Sequence, residues 1–516
     1  MHKFLFTLLL SFGVLVSVSA QITITPDHKT ASYNVGETIV FNIHSTITGP
    51  ATYEIRYSEQ TKVLEKGKLD VVANQDYQIT FVPQEPCFLI CKVYVSGNEG
   101  IAGVSVSPFD IMPFEDTPAD FDEFWANQKA QLAQIPIDPQ LTLFSETGAS
   151  TTYKISLASI DNRRVYGYLS VPKVNEPMAA VLQVPAYGSA PGNAQPVPWI
   201  AENLGAIILN ISIHNAPPDQ QDPNAYQPND PSIREKNYYR YAFMAAVRAI
   251  DYIFTRPDFD GKELAVYGIS QGGGLALCTA GLDQRVKLLV DIVPALCRHD
   301  GQRYGRPSGH PFYIATSRFT VGTPEHEYAT TEATKYYDAV NFAKRFTGPS
   351  LSMFGYLDQT CPAETGFTAN NQLLNSKMII HQRDKGHNSF FLGPYDLYRF
   401  IRGYFTDLHS KYPPADSSTW YVMDAGGGQT TSVNTDIDLE ANLTLDQQAT
   451  TSLPVEWQKV SGPGAVHFST PYKYLTKASF SKPGSYLLRV VATDNALLDS
   501  DGVWMQIVDY VWIQVN

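Results

Sequence analysis

The stretch Leu264-Ala-Val-Tyr-Gly268-Ile269-Ser270-Gln271-Gly272-Gly273 constrains this chain more than any other. It reads as an apolar strand that ends in G-x-S-x-G and opens a helix. Such a sharp strand-to-helix turn lifts the Ser270 hydroxyl above the sheet. Gly268 and Gly272, having no Cβ, let strand and helix approach closely. The backbone N–H of Gln271, at the helix N-terminus, is aimed where an oxyanion would form. Ser270 is therefore the candidate nucleophile.

The flanking pattern agrees with a sheet built around this turn. Apolar β runs cover Ala179–Val184, Ala206–Ile211, Leu264–Tyr267, Leu288–Val293, Leu351–Phe354 and Lys377–His381. Helix-like stretches intervene at Tyr238–Phe254, Gly274–Leu282 and Ala363–Leu374. Buried strands alternating with helices predict a mostly parallel sheet covered on both faces. Ahead of it, Tyr153–Ala158 and Val165–Val171 form a hairpin-like pair around Asp161-Asn162, and Phe121–Leu132 reads as a helix. The ends differ. Alternating strands such as Thr38–His44, Thr52–Tyr57 and Tyr77–Phe81, separated by Gly and Pro turns, predict an N-terminal immunoglobulin-like sandwich. β patterning returns after a linker, with turns at Gly426–Gly428, Ser461–Gly464 and Lys482–Gly484. The 516 residues suit about three domains at roughly 150 residues each. The expected layout is an α/β domain over 113–411, a β-sandwich over 21–112, a linker over 412–418 and a second sandwich over 419–516.

A serine hydroxyl needs a base, and the base an orienting acid. Behind a G-x-S-x-G turn the chain order is Ser, acid, His. Of eleven histidines, His381 lies inside an apolar strand, His409 falls beside the linker and His467 belongs to the last sandwich. His387, in Asp384-Lys-Gly-His-Asn388, sits on a loop at the carboxyl edge of the sheet and is the expected base. Asp358 follows the strand Leu351–Phe354 and is the expected acid. Asp384 shares the short loop of His387, and Asp338 lies in an aromatic helix-like run. A second oxyanion donor belongs on the loop after an earlier strand, which points to the N–H of Tyr187 before Gly188.

Composition excludes several classes. The net charge of −13 and the lack of a basic stripe argue against nucleic acid. HExxH, Walker and GxGxxG motifs are absent, so no metal or cofactor is expected. Asp494, Asp499 and Asp501 read as solvated loop carboxylates rather than a calcium site. Residues 1–20 read as a secretory signal, with His2 and Lys3, an apolar run Phe4–Val16 and a Val18-Ser19-Ala20 cleavage site. The mature chain is thus expected to be exported, periplasmic or extracellular, and to lack a membrane span. Cys87 and Cys91, about 13 Å apart on an extended strand, are too distant to bridge. The five cysteines read as small core residues, with at most one incidental bridge.

Several segments together resemble the acetyl xylan esterase and cephalosporin C deacetylase family (carbohydrate esterase family seven). They are Phe121–Trp125, Tyr238–Tyr241, Val247–Asp251, Gly268–Leu277, Tyr336–Asn341, Gly355–Pro362 and Gly386-His387. The likeness spans about Phe114 to Phe405. It implies an α/β-hydrolase that removes acetyl groups from acetylated oligosaccharides or polysaccharide fragments through an acetyl-enzyme. It implies Ser270 as nucleophile, Asp358 as acid, His387 as base, and Tyr187 and Gln271 as oxyanion donors. Three departures lie near the pocket: Ile213-His-Asn215 where the family has Arg-Gly-Gln, Pro185-Ala186 where it has His-Gly, and Asn388 where a glutamate often follows the base. The last sandwich resembles a polycystic-kidney-disease-type domain, which implies a spacer or glycan-contact module. Two alternatives stand beside the deacetylase. One is a broader carboxylic-ester hydrolase or peptidase of the same fold, the other a glycan-binding surface protein with a degenerate hydrolase domain. The sequence leaves the oligomeric state open.

Overall fold

The six apolar runs become the parallel centre of one thirteen-stranded sheet. In spatial order they are Ile207–Ser212, Met178–Gln183, Phe259–Ile269, Leu288–Ile292, Ser350–Gly355 and Lys377–Gln382. The structure is a computed structural model describing residues 21–188, 194–227, 229–313, 323–388, 400–401, 403–405, 421–445 and 448–516. The expected signal (1–20), linker (412–418) and His409 lie outside the described residues.

Side-chain alternation explains why these strands are apolar throughout. Ala180 and Leu182 face one core, with Trp125, Phe243 and Leu275 of the helices Phe121–Ala133, Tyr239–Ile253 and Gln271–Leu282. Ala179 and Val181 face the other, with Ile200 and Leu204 of the helix Pro198–Leu204. A strand buried on both faces has no polar side to show. The hairpin forms as Ser150–Ala158 against Arg164–Pro172, and its turn uses the left-handed residues Asp161 and Asn162. The helix expected over Ala363–Leu374 ends earlier, at Asn370.

The C-terminal β segment is joined to this sheet by hydrogen bonds. Val503–Val515 pairs antiparallel with Lys377–Gln382, then Gly484–Asp494 and Val455–Ser461 follow outward. Two small three-stranded sheets complete the segment. Its apolar residues, including Trp457, Tyr486 and Ile507, belong to the same core as Tyr267 and Met353. No break in the main sheet therefore marks where the hydrolase part stops.

The N-terminal strands form a three-stranded and a five-stranded sheet around Phe41, Ile55, Cys91 and Val104. That core continues into Phe354, Tyr356 and Phe367. The seam also holds a buried ionic knot. Glu364, fully buried, accepts from Arg298 (2.7 Å) and Arg306 (2.8 Å), and from the backbone N–H of Phe88 (3.2 Å). Breaking such a knot strands a buried charge at a cost of about 3–5 kcal/mol. All five cysteines are buried and unbridged. No helix among the described residues is long and apolar enough to cross a membrane.

Candidate active site

Ser270 sits between strand and helix with φ +60° and ψ −119°, left-handed territory that few non-glycine residues occupy. Surrounding backbone bonds hold it there. Its N–H donates to Ile292 O (2.8 Å), and its carbonyl accepts from Ala295 (2.9 Å) and Gly274 (3.2 Å). The two glycines are required by space. A Cβ on Gly268 would strike the backbone of Gly272, and one on Gly272 would lie 2.6 Å from Val184 O.

The three residues chosen from sequence come together. Ser270 Oγ lies 2.9 Å from His387 Nε2, and His387 Nδ1 lies 2.7 Å from Asp358 Oδ2. Asp358 is buried, and its other oxygen accepts from the N–H groups of Thr360 (2.9 Å) and Cys361 (2.8 Å). A carboxylate so bonded is fixed in orientation, and it fixes the imidazole with Nδ1 protonated and Nε2 free to accept the serine proton. The loops carrying acid and base continue the pairing of their strands. Tyr356 N donates to Gln382 O (3.0 Å) and Leu357 N to Lys385 O (3.0 Å).

The competing groups are otherwise engaged. Asp384 makes an exposed bidentate pair with Arg383 (2.9 and 2.6 Å). Asp338 accepts from the N–H groups of Arg298, His299 and Val340. His381 is buried and stacks on Trp504 at 3.8 Å, with its nitrogens on Tyr356 Oη (3.0 Å) and Gln506 Oε1 (2.9 Å); burial pushes its pKa down to about 3. Asp499 pairs with Lys29, and Asp494 caps Ala496 N.

Gln271 is the first residue of the helix and fully buried. Its side chain does work that the sequence did not suggest. Nε2 donates to Ala186 O (3.3 Å), while Oε1 accepts from Tyr226 Oη (3.0 Å) and Tyr239 Oη (3.1 Å). Tyr226 Oη also accepts from Gly188 N (3.1 Å), and its ring stacks under the half-exposed ring of Tyr187 at 4.9 Å. The loop bearing Tyr187 is thereby tied to the helix that bears Gln271. His214, at one family departure, joins the same support. Its Nε2 lies 2.7 Å from Gly188 O and its Nδ1 2.7 Å from Tyr238 Oη, and burial lowers its pKa. A carbonyl only accepts, so Nε2 carries the proton. Tyr226 gave no motif, and His214 showed only as a departure from the family pattern; the part each plays in the support is purely spatial.

The N-terminal sheets reach the acid loop as well. Glu59 N donates to Gln359 Oε1 (2.8 Å), Gln60 Nε2 to Gln359 O (3.4 Å), and Ser105 Oγ lies 3.3 Å from Tyr356 Oη. A Cβ on Gly103 would lie 2.8 Å from Tyr356 O, so the contact is close packed.

A model of the acetyl xylan esterase (AXE1) family matches residues 110–401, more than half of the chain. The chain belongs to the acetyl xylan esterase family. It is a carboxylic ester hydrolase with an α/β-hydrolase sheet. Acetyl esterase Axe7A of Xylanibacter ruminicola is 29% identical over 406 residues, covering 73% of this chain and 91% of that one. The acetyl xylan esterase from Paenibacillus sp. R4 is 28% identical with a TM-score of 0.52, covering 58% of this chain and 98% of that one. Acetyl xylan esterase 1 from Thermoanaerobacterium sp. JW/SL YS485, at 23% identity, TM-score 0.51 and the same coverage, shares the fold. In this esterase the N-terminal sheets and the C-terminal strands lie outside residues 110–401, the span that the family model matches.

Proposed function

We propose that this esterase removes acetyl groups from acetylated, xylan-type sugars through an acetyl-enzyme. Ser270 attacks the acetyl carbonyl, and His387 Nε2 takes its proton. Asp358 keeps the imidazole in the required tautomer and stabilises it once charged. The N–H groups of Tyr187 and Gln271 donate to the oxyanion as the tetrahedral centre forms. His387 then returns the proton to the sugar oxygen, and the sugar leaves. Water, deprotonated by the same nitrogen, attacks the acetyl-enzyme and releases acetate. The observation that carries this reading is the continuous Ser270–His387–Asp358 chain at 2.9 and 2.7 Å, on a strained turn in a member of this family.

The rest of the reading is organisational. Residues 1–20 direct export to the periplasm or beyond. Segments 21–112 and 419–516 are immunoglobulin-like additions to the hydrolase at 113–411, the latter of polycystic-kidney-disease type. Acetate release from acetylated xylan tests the substrate class. Wild type is expected to release acetate, and no release above the Ser270→Ala background across a panel of acetylated polysaccharides would reject it.

A further inference from the structure

Apart from the triad, a polar cleft of about 420 Å3 opens where the two β additions meet. Ser32–Asn34 and the turn Pro108–Asp110 form one side, the strands Val455–Ser461 and Gly484–Asp494 the other. The second wall is ordered by a relay. Arg489 Nε donates to Gln458 Oε1 (2.6 Å), and Gln458 Nε2 donates to Glu456 Oε2 (2.9 Å). The Arg489 guanidinium lies over the Phe109 ring, 4.3 Å from its centre. Its bond among the described residues is made by Nε, which leaves the two Nη groups facing the cleft for a ligand. Arg489 is half-buried, with the carboxylates of Asp110 and Glu456 acting on its charge from nearby. At the lip stands Tyr472, 69% exposed, the most exposed large aromatic among the described residues.

These parts fit one kind of ligand. A pyranose ring offers an apolar C–H face and a rim of hydroxyls that both donate and accept. An exposed aromatic ring suits the face. Carboxylates such as Glu456 and Asp110 accept from the hydroxyls, and the Arg489 Nη groups donate to hydroxyl or ring oxygens. Two carboxylates in the cleft, within a chain of net charge −13, disfavour an anion. The volume lies within the range of small-ligand sites. We propose that this cleft is a second carbohydrate site, separate from Ser270, that holds one or two rings of a neutral polysaccharide. Tethering the polymer there raises the local concentration of its acetyl groups at the catalytic serine. The choice of a xylan-type chain rests on the deacetylase reading above; the cleft and its neutral-sugar chemistry do not.

The test uses full-length protein and unacetylated xylohexaose and cellohexaose, so nothing turns over. Calorimetric titration is expected to show binding that Tyr472→Ala weakens about tenfold and Glu456→Ala about fivefold, while Tyr472→Trp retains it. Hydrolysis of p-nitrophenyl acetate, run on the same preparations, is expected to stay within about twofold of wild type. That assay reports on Ser270 independently, so a failed deacetylase reading and a failed cleft give different patterns. Binding to cellohexaose alone upholds the site and moves only the polymer. Equal affinity of wild type and Tyr472→Ala, or no binding of either sugar by wild type, overturns the proposal.

Discussion

Gly272→Ala is a one-methyl perturbation with a calculable effect on catalysis. The new Cβ would lie 2.6 Å from Val184 O and 3.2 Å from both Pro185 C and Pro185 O. All three are backbone atoms, so no rotamer change relieves the clash. Restoring contact requires loop and helix to part by about 0.6–0.8 Å, and overpacking of this kind costs roughly 1–3 kcal/mol of stability. The displaced loop carries Tyr187 and the displaced helix carries Gln271, the two proposed oxyanion donors. Such donors work at about 2.7–3.1 Å, and losing one costs about 2.7–4 kcal/mol in the transition state, or 10²–10³ in kcat. A partial displacement is therefore expected to lower kcat for p-nitrophenyl acetate by about 30- to 300-fold, with KM changed by less than about threefold. Gly148→Ala, where a Cβ meets nothing within 4 Å, is the control. Thermal unfolding run alongside separates lost activity from lost fold. A folded Gly272→Ala enzyme with kcat within about threefold of wild type would refute the claim that this contact sets the oxyanion geometry.

Two further outcomes follow from the same geometry, and a third from the family. Asp358→Asn is expected to lower kcat by about 10³–10⁴, while Asp384→Asn, which loses only an exposed pair with Arg383, stays within about threefold; steady-state kinetics rank them. His381 bears on stability rather than chemistry. Its folded pKa is depressed to about 3, so below about 6.5 the unfolded chain takes up a proton that the folded chain refuses. Its contribution is thus whole above pH 6.5 and shrinks by about 1.4 kcal/mol per pH unit as pH falls below that. The stability gap between wild type and His381→Gln, from urea unfolding at pH 7 and pH 5, should narrow accordingly. Membership of the acetyl xylan esterase family, rather than the geometry, leads to the expectation that acetate esters lead butyrate esters by at least about tenfold in kcat/KM on one leaving group, each methylene beyond a filled site costing roughly 1–3 kcal/mol. Equal values for both would favour a broader esterase.

The site was legible where chemistry demands local pattern. The turn at Ser270 needs glycines two residues either side, and chain order together with a place on a loop after a strand singles out Asp358 and His387 from their competitors. Gln271 was legible only as a backbone donor. That its side chain ties down the Tyr187 loop depends on Tyr226 and Tyr239, and Tyr226 lies 45 residues away on a loop without a motif. His214 was visible as a departure from the family pattern, but its seat beneath Gly188 was not. The C-terminal strands show why partner choice is harder to read than strand identity. Val503–Val515 buries adjacent pairs at Val503-Trp504 and Ile507-Val508 and alternates only from Val511, a pattern that marks a strand without naming its neighbour. Only long-range register, Lys377 opposite Val508, decides. The hold of Glu59 and Gln60 on the acid loop is of the same kind, a contact 300 residues apart for Glu59.

The central claim, that Ser270 is the nucleophile, is tested most directly by labelling wild-type enzyme with a fluorophosphonate and mapping the adduct by peptide mass spectrometry. The account predicts a single phosphonyl group per chain, on the peptide containing Ser270, with esterase activity lost in proportion to labelling. An adduct on another residue that accounts for the lost activity, or full labelling of Ser270 with activity retained, would contradict it.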